Sequence, residues 1–208
     1  MIGSQLKSRF RGDVPREVIK AIAEGIIERY ALSADEAELR WLGAEATDAL
    51  ASMRRADIET GLVALRGRFP GLVEVEVAWN ATENARHREV YVAGWVITQS
   101  KIENRQGPIR KAEFRESLAF GSQTTLDSLI DPMDTIEPIT GRPWGCVTHV
   151  PVERTQETPA ILQVTFPMPN GRWEDSIDLY LEIPELRTYI NSDYVVQLRA
   201  DRKRAMGL

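Results

Sequence analysis

The sequence predicts an α+β fold: about three N-terminal helices packed on one face of a mainly antiparallel sheet of five or six strands, closed by a C-terminal helix. Two observations predict it. Up to Pro70 the apolar residues recur at helical spacing, and beyond it they alternate at the period of a strand. Connections in the second half are short, and a parallel crossover needs about a dozen residues or more, so antiparallel neighbours are favoured. The 208 residues fit one folded unit, with a helical region at 1–70 and a sheet region at 71–208.

The elements follow in order. Asp13 reads as an N-cap with Pro15 in the first turn. Val18, Ile22, Ile26 and Tyr30 then share one stripe, with Glu17, Lys20, Glu24 and Glu28 off it, which makes an amphipathic helix. Ser33 and Glu36 have the spacing of a capping box and open a second helix with Leu39, Leu42, Ala46, Ala49 and Met53 inward. Ile58, Leu62, Leu65 and Phe69 continue as a third, with a break expected near Arg54 and Arg55. Pro70 and Gly71 end the helical half.

Val73, Val75, Val77 and Trp79 alternate with Glu74 and Glu76, which predicts a half-buried strand over 72–79. Residues 90–100 are apolar on both faces and read as a central strand, with 109–120 as the returning strand. Shorter strands are expected over 146–153, 161–168 and 177–183, the last two joined through the Asn170-Gly171 turn signal. Val92, Val96, Leu162, Val164, Leu179 and Leu181 form the expected core, and Ser192 caps a last helix running to Ala205.

Residues 121–145 break the pattern. They carry Pro132, Pro138 and Pro143, no clear period, and much apolar surface. Loops of this length are uncommon in compact domains and are often functional. Leu129, Ile130, Met133, Ile136 and Trp144, with Arg142 beside them, are therefore the candidate partner-binding residues, unless the segment caps the protein's own core.

Composition sets the exclusions. Apolar residues make up 43% and charged residues 27%, which argues against disorder. No apolar run approaches the ~20 residues of a membrane span, and the N-terminus lacks a signal-peptide core, so a cytoplasmic or intravirion location is expected. Cys146 is the single cysteine and excludes an internal disulfide and a cysteine-rich zinc site. A net charge of −5 argues against wholesale nucleic-acid binding. Local basic clusters remain at Lys7, Arg9 and Arg11 and at Arg199, Arg202, Lys203 and Arg204. The latter also complement a helix C-terminus.

Few residues suggest catalysis. Cys146 and His149 are three apart, which on a strand puts them on opposite faces, so a buried cysteine and an edge histidine are expected rather than a nucleophile and its base. His87 sits between two arginines in what reads as a polar loop. Asp127, Asp131, Asp134 and Glu137 lack the spacing of a calcium loop, and with two histidines no metal centre or cofactor is expected. No phosphate loop, dinucleotide fingerprint, serine-nucleophile elbow or zinc-protease motif occurs.

Glu59 on a helix, Glu74 and Glu76 on the next strand, and Gln99 and Lys101 ending a central strand form one further set. This order resembles the PD-(D/E)xK nuclease arrangement, with glutamine in place of an acidic residue and no Pro-Asp pair before the sheet. The resemblance implies a magnesium-dependent nuclease-like site at Glu59, Glu76, Gln99 and Lys101, where carboxylates hold the metal and lysine steadies the attacking water. Set against it, the long apolar segment favours a non-enzymatic structural or adaptor subunit of a larger assembly (a virion or phage tail, a secretion-type apparatus or a defence complex). Such a subunit would bind protein subunits through 121–145 and the chain ends. An accessory nucleic-acid-binding protein is the third class.

Overall fold

The computed structural model describes residues 2–41, 44–79, 86–109, 112–130, 141–152, 157–190, 196–198, 200, 201 and 204, and its architecture is α+β. Three helices come first: α1 (Ile2–Asp13), α2 (Arg16–Arg40) and α3 (Ala44–Arg68). A six-stranded sheet follows, built of β1 (Val73–Trp79), β2 (Arg86–Val92), β3 (Trp95–Lys101), β4 (Trp144–Pro151), β5 (Pro159–Thr165) and β6 (Ser176–Asp178). Helix α4 (Glu113–Ile130) lies between β3 and β4, and the short α5 (Leu179–Glu182) and a 3₁₀ helix (Pro184–Ile190) follow β6. Strand order equals chain order, and every pairing is antiparallel except β3 with β4.

The sheet has a helical layer on each face. On the inner face, α1–α3 bury Phe10, Ile22, Ile26, Tyr30, Ile58 and Leu62 against Trp95, Ile97, Val147 and Val164. Phe10, Trp95 and Phe166 meet edge-on at centroid distances of 5.0–6.0 Å. Rings buried this way contribute about 0.5–1.5 kcal/mol per pair beyond their area. On the outer face, a second cluster of Val96, Ile102, Ile109, Trp144 and Cys146 packs with Ala119 of α4. The C-terminal residues 196–198, 200, 201 and 204 are helical, while the expected cap Ser192 lies outside the described residues.

Several expectations change. Asp13 does not start a helix; it ends α1, where its Oδ2 accepts from Arg9 Nε and Trp95 Nε1, both at 3.1 Å. Leu6 and Phe10 give α1 the apolar side that anchors it. Ser33 and Glu36 open no helix, because α2 runs straight through them; Ser33 Oγ lies 2.6 Å from Arg29 O and 2.7 Å from Asp57 Oδ2. The break comes at Trp41, extended at φ −133°, and not at Arg54 and Arg55, which are mid-α3. Residues 90–100 are two strands, turned at Ala93 and Gly94 with φ of 49° and 80°. Of the returning strand expected over 109–120, residues 113–120 are instead the start of α4, and residues 110 and 111 lie outside the described residues.

The long-loop expectation is replaced likewise. Residues 121–130 complete α4, residues 131–140 lie outside the described residues, and Trp144 already begins β4. Of the expected core, Val92, Val96, Leu162, Val164 and Leu179 are buried, but Leu181 is 68% exposed. The strand expected over 177–183 stops at Asp178, whose carboxylate accepts from the backbone N–H groups of Tyr180 and Leu181 and starts α5, so Leu181 faces outward.

Candidate functional site

Two polar clusters stand out, one on each face of the sheet. The inner one lies at the ends of β3 and β4, under α2 and α3. Gln99 Nε2 donates to Glu59 Oε1 at 2.7 Å, and the backbone N–H of Arg88 donates to the other carboxylate oxygen. Because a carboxylate can only accept, the Gln99 amide is oriented with its carbonyl away from Glu59. That carbonyl lies 2.9 Å from His149 Nε2, which must therefore carry the proton. Nδ1 is then bare and accepts from the Tyr30 hydroxyl at 2.6 Å.

Burial dominates the electrostatics of this chain of bonds. It pushes the His149 imidazole down to about 3, helped by the Arg54 and Lys101 cations, so the ring is neutral near pH 7. Burial also raises the Tyr30 phenol and lowers the Arg54 guanidinium, which lies 4.1 Å over the Tyr30 ring. The basic nitrogen of His149 is capped by Tyr30, and the Gln99 amide is engaged on both sides. The cluster thus ties α2, α3, β3 and β4 together through groups that already hold one another.

The outer cluster lines an open groove of about 630 Å³ between β1, β2 and α4. Trp79, Tyr91 and Phe114 wall it, and Glu76, Glu89, Glu113 and Arg142 supply its charges. The antiparallel register sets Glu76 directly opposite Glu89. Glu89 is held at both oxygens, by His87 Nε2 at 2.9 Å and by the Tyr91 hydroxyl. The His87 bond holds its carboxyl below the usual range against the opposing effect of burial. His87 stacks on Phe114 at 3.6 Å, and the Arg142 guanidinium sits 4.9 Å from the Tyr91 ring centre. Burial, then the Glu89 and Glu76 charges, raise the Tyr91 phenol.

The structure sorts the residues singled out in the sequence. Glu59, Gln99 and Lys101 share the inner face, but Glu76 is on the outer face, so the four do not form one nuclease-like constellation. Cys146 and His149 do lie on opposite faces; burial pushes the Cys146 thiol up to about 11. His149 is no edge residue, since β4 is paired on both sides. His87 is not in a loop but on β2, buried.

Of the partner-binding candidates, Arg142 lines the groove, whereas Trp144 is 1% exposed in the protein's own core, its indole N–H donating to Thr98 Oγ1. Leu129 and Ile130 fall at the end of α4; Met133 and Ile136 lie outside the described residues, as do Asp131, Asp134 and Glu137. Lys7, Arg9 and Arg11 pair with Asp175, Asp13 and Glu182, and Arg204 pairs with Asp201; Arg199, Arg202 and Lys203 lie outside the described residues.

Sequence reasoning missed the outer groove, because Glu76 and Glu89 meet only once the β1–β2 register is known. No group of three acidic, histidine or cysteine side chains among the described residues could hold a metal ion, and no helix among them is long and apolar enough to cross a membrane. Comparison with protein-family models, with curated proteins and with solved structures finds no match.

Proposed function

We propose that the protein is a non-enzymatic adaptor or structural subunit of a larger assembly, and that it docks a protein partner in the groove between the outer sheet face and α4. The groove carries this reading: it is wide, aromatic-walled and flanked by exposed apolar side chains. Trp79, which lines it, is 53% exposed, and Phe120 on the adjoining α4 is 59% exposed. Large apolar groups of this kind, rimmed by charge, mark interaction surfaces. The 121–145 segment keeps a part in the reading through Gly121, Gly141 and Arg142, which border the groove.

The test is a Trp79→Ala/Phe120→Asp double variant, expressed in the native host and compared with wild type by size-exclusion chromatography of the extract. A folded variant that elutes as the free chain, where wild type elutes in a larger species, supports docking. Wild type eluting as the free chain, or a variant that still enters the assembly, refutes it.

A second reading rests on the contact between Glu59 and Gln99 with Lys101 on the same face, which keeps a nuclease-like activity in view. One carboxylate is a poor magnesium site. Cleavage of DNA or RNA with Mg²⁺ or Mn²⁺ that disappears in Lys101→Ala would favour this reading over docking.

A further inference from the structure

We infer that the outer groove selects a basic peptide segment, seating an arginine or lysine cation between Glu76, Glu89 and Glu113 and the aromatic walls. The inference rests on the docking reading and names the chemistry of the partner.

Three observations carry it. First, the sheet sets Glu76 and Glu89 directly opposite one another across β1 and β2. Like charges so placed are destabilising, with side chains about 5 Å apart at the Cβ atoms. Glu89 is partly compensated by His87 and Tyr91, but Glu76 and Glu113 make no hydrogen bond or ion pair through their carboxylates among the described residues. Among the lining residues three carboxylates thus face one guanidinium, that of Arg142, while Arg86 and Arg115 lie over the Trp79 and Phe114 walls.

Second, the walls are aromatic, and ring faces attract cations. The protein already uses them so: Arg142 lies over Tyr91 at 4.9 Å, Arg86 over Trp79 at 5.2 Å and Arg115 over Phe114 at 5.1 Å. Trp79 is still about half exposed. Such walls suit a soft organic cation better than a metal ion, which needs converging oxygen ligands.

Third, among the described residues β1 is the edge of the sheet, paired to β2 alone, with the groove beside it. An extended peptide laid along β1 would satisfy its outward N–H and C=O groups and present alternate side chains to the groove face.

The experiment is calorimetric titration of the full chain with a five-residue peptide of alternating valine and arginine, and with its neutral citrulline counterpart. The arginine peptide is expected to bind at least about tenfold more tightly than the citrulline peptide. Glu76→Gln is expected to weaken it about tenfold, while Glu17→Gln, at an exposed position of α2, leaves it unchanged. The same Glu76→Gln substitution should raise the melting temperature of the free protein, which a purely structural Glu76 would not do. Should Glu76→Gln fail to fold, Glu113→Gln on α4 makes the same binding comparison.

Equal binding of both peptides, abolished by Trp79→Ala, overturns the cation inference and leaves groove docking standing. Binding of neither peptide, or equal loss in the Glu76 and Glu17 variants, overturns it as well, the last because bulk acidity alone would then explain the affinity.

Discussion

Gln99 shows how much one side chain can determine. Its amide is oriented by Glu59, and that orientation sets the His149 tautomer and the direction of the Tyr30 hydroxyl. Gln99→Leu leaves Glu59 and His149 each short of a partner in a buried site and should cost about 2–4 kcal/mol, read from urea unfolding. His149 adds a pH dependence. The unfolded chain takes up a proton near 6.5 that the folded protein refuses until about 3, so stability falls as pH drops below 6.5. His149→Gln should flatten that fall by up to about 1.4 kcal/mol per pH unit in denaturation curves taken between pH 7 and 4. Cys146, buried and held as a thiol, should resist a thiol reagent at pH 8 in the native protein and react fully in urea. Fast labelling of the native chain would contradict this. At this scale the sequence showed that Cys146 and His149 cannot touch, because strand parity is local. It could not show that His149 is central, because that depends on which strands lie either side of β4.

Elements fail to be legible where a local signal is overruled by packing. Ser33 and Glu36 have a capping spacing, yet α2 continues, because Tyr30, Ala31, Ala34 and Ala37 keep burying one face through that point. The 90–100 run looks like one strand since the end of β2 (residues 90–92) and the start of β3 (residues 95–97) are both apolar. Its turn is Ala93-Gly94, whose alanine sits at φ 49° where Asn or Gly would announce a hairpin. Ala93→Asn should therefore stabilise the protein by about 0.5–1 kcal/mol, and Gly94→Ala at φ 80° should destabilise it by about 1 kcal/mol or more; both are read as shifts in melting temperature. By contrast Asn170-Gly171 was readable: Gly171 takes φ 76° and Asn170 Oδ1 accepts from the Arg172 N–H. For α4, residues 109–120 fit either period, and helix wins where Leu118 and Ala119 pack over Trp144 on the outer face.

Across the whole molecule, the N-terminal helices and the mainly antiparallel sheet after them were legible because the hydrophobic period changes near Pro70. The outer helical layer was not, since α4 interrupts the strands and its register with them is nonlocal. The outer groove exists only because that layer covers part of the sheet and leaves β1 uncovered. Matching strand order to chain order also bears on how the protein comes to fold. Every antiparallel neighbour emerges from synthesis next to its partner, so each such pairing closes a modest loop. The parallel junction of β3 with β4 is different: the intervening 102–143 must be spanned before Thr98 meets Cys146 in register and Trp144 reaches Thr98. Within the sheet the chain is thus two locally wired halves joined at one seam, which α1 and α2 also bridge through the contacts of Phe10 with Phe166 and of Tyr30 with His149. Trp144→Phe at that seam should slow refolding in stopped-flow traces, whereas Leu162→Ala inside the β4–β5 pair should mainly hasten unfolding if the seam is the barrier. Equal effects on both rates for the two variants would place the barrier elsewhere.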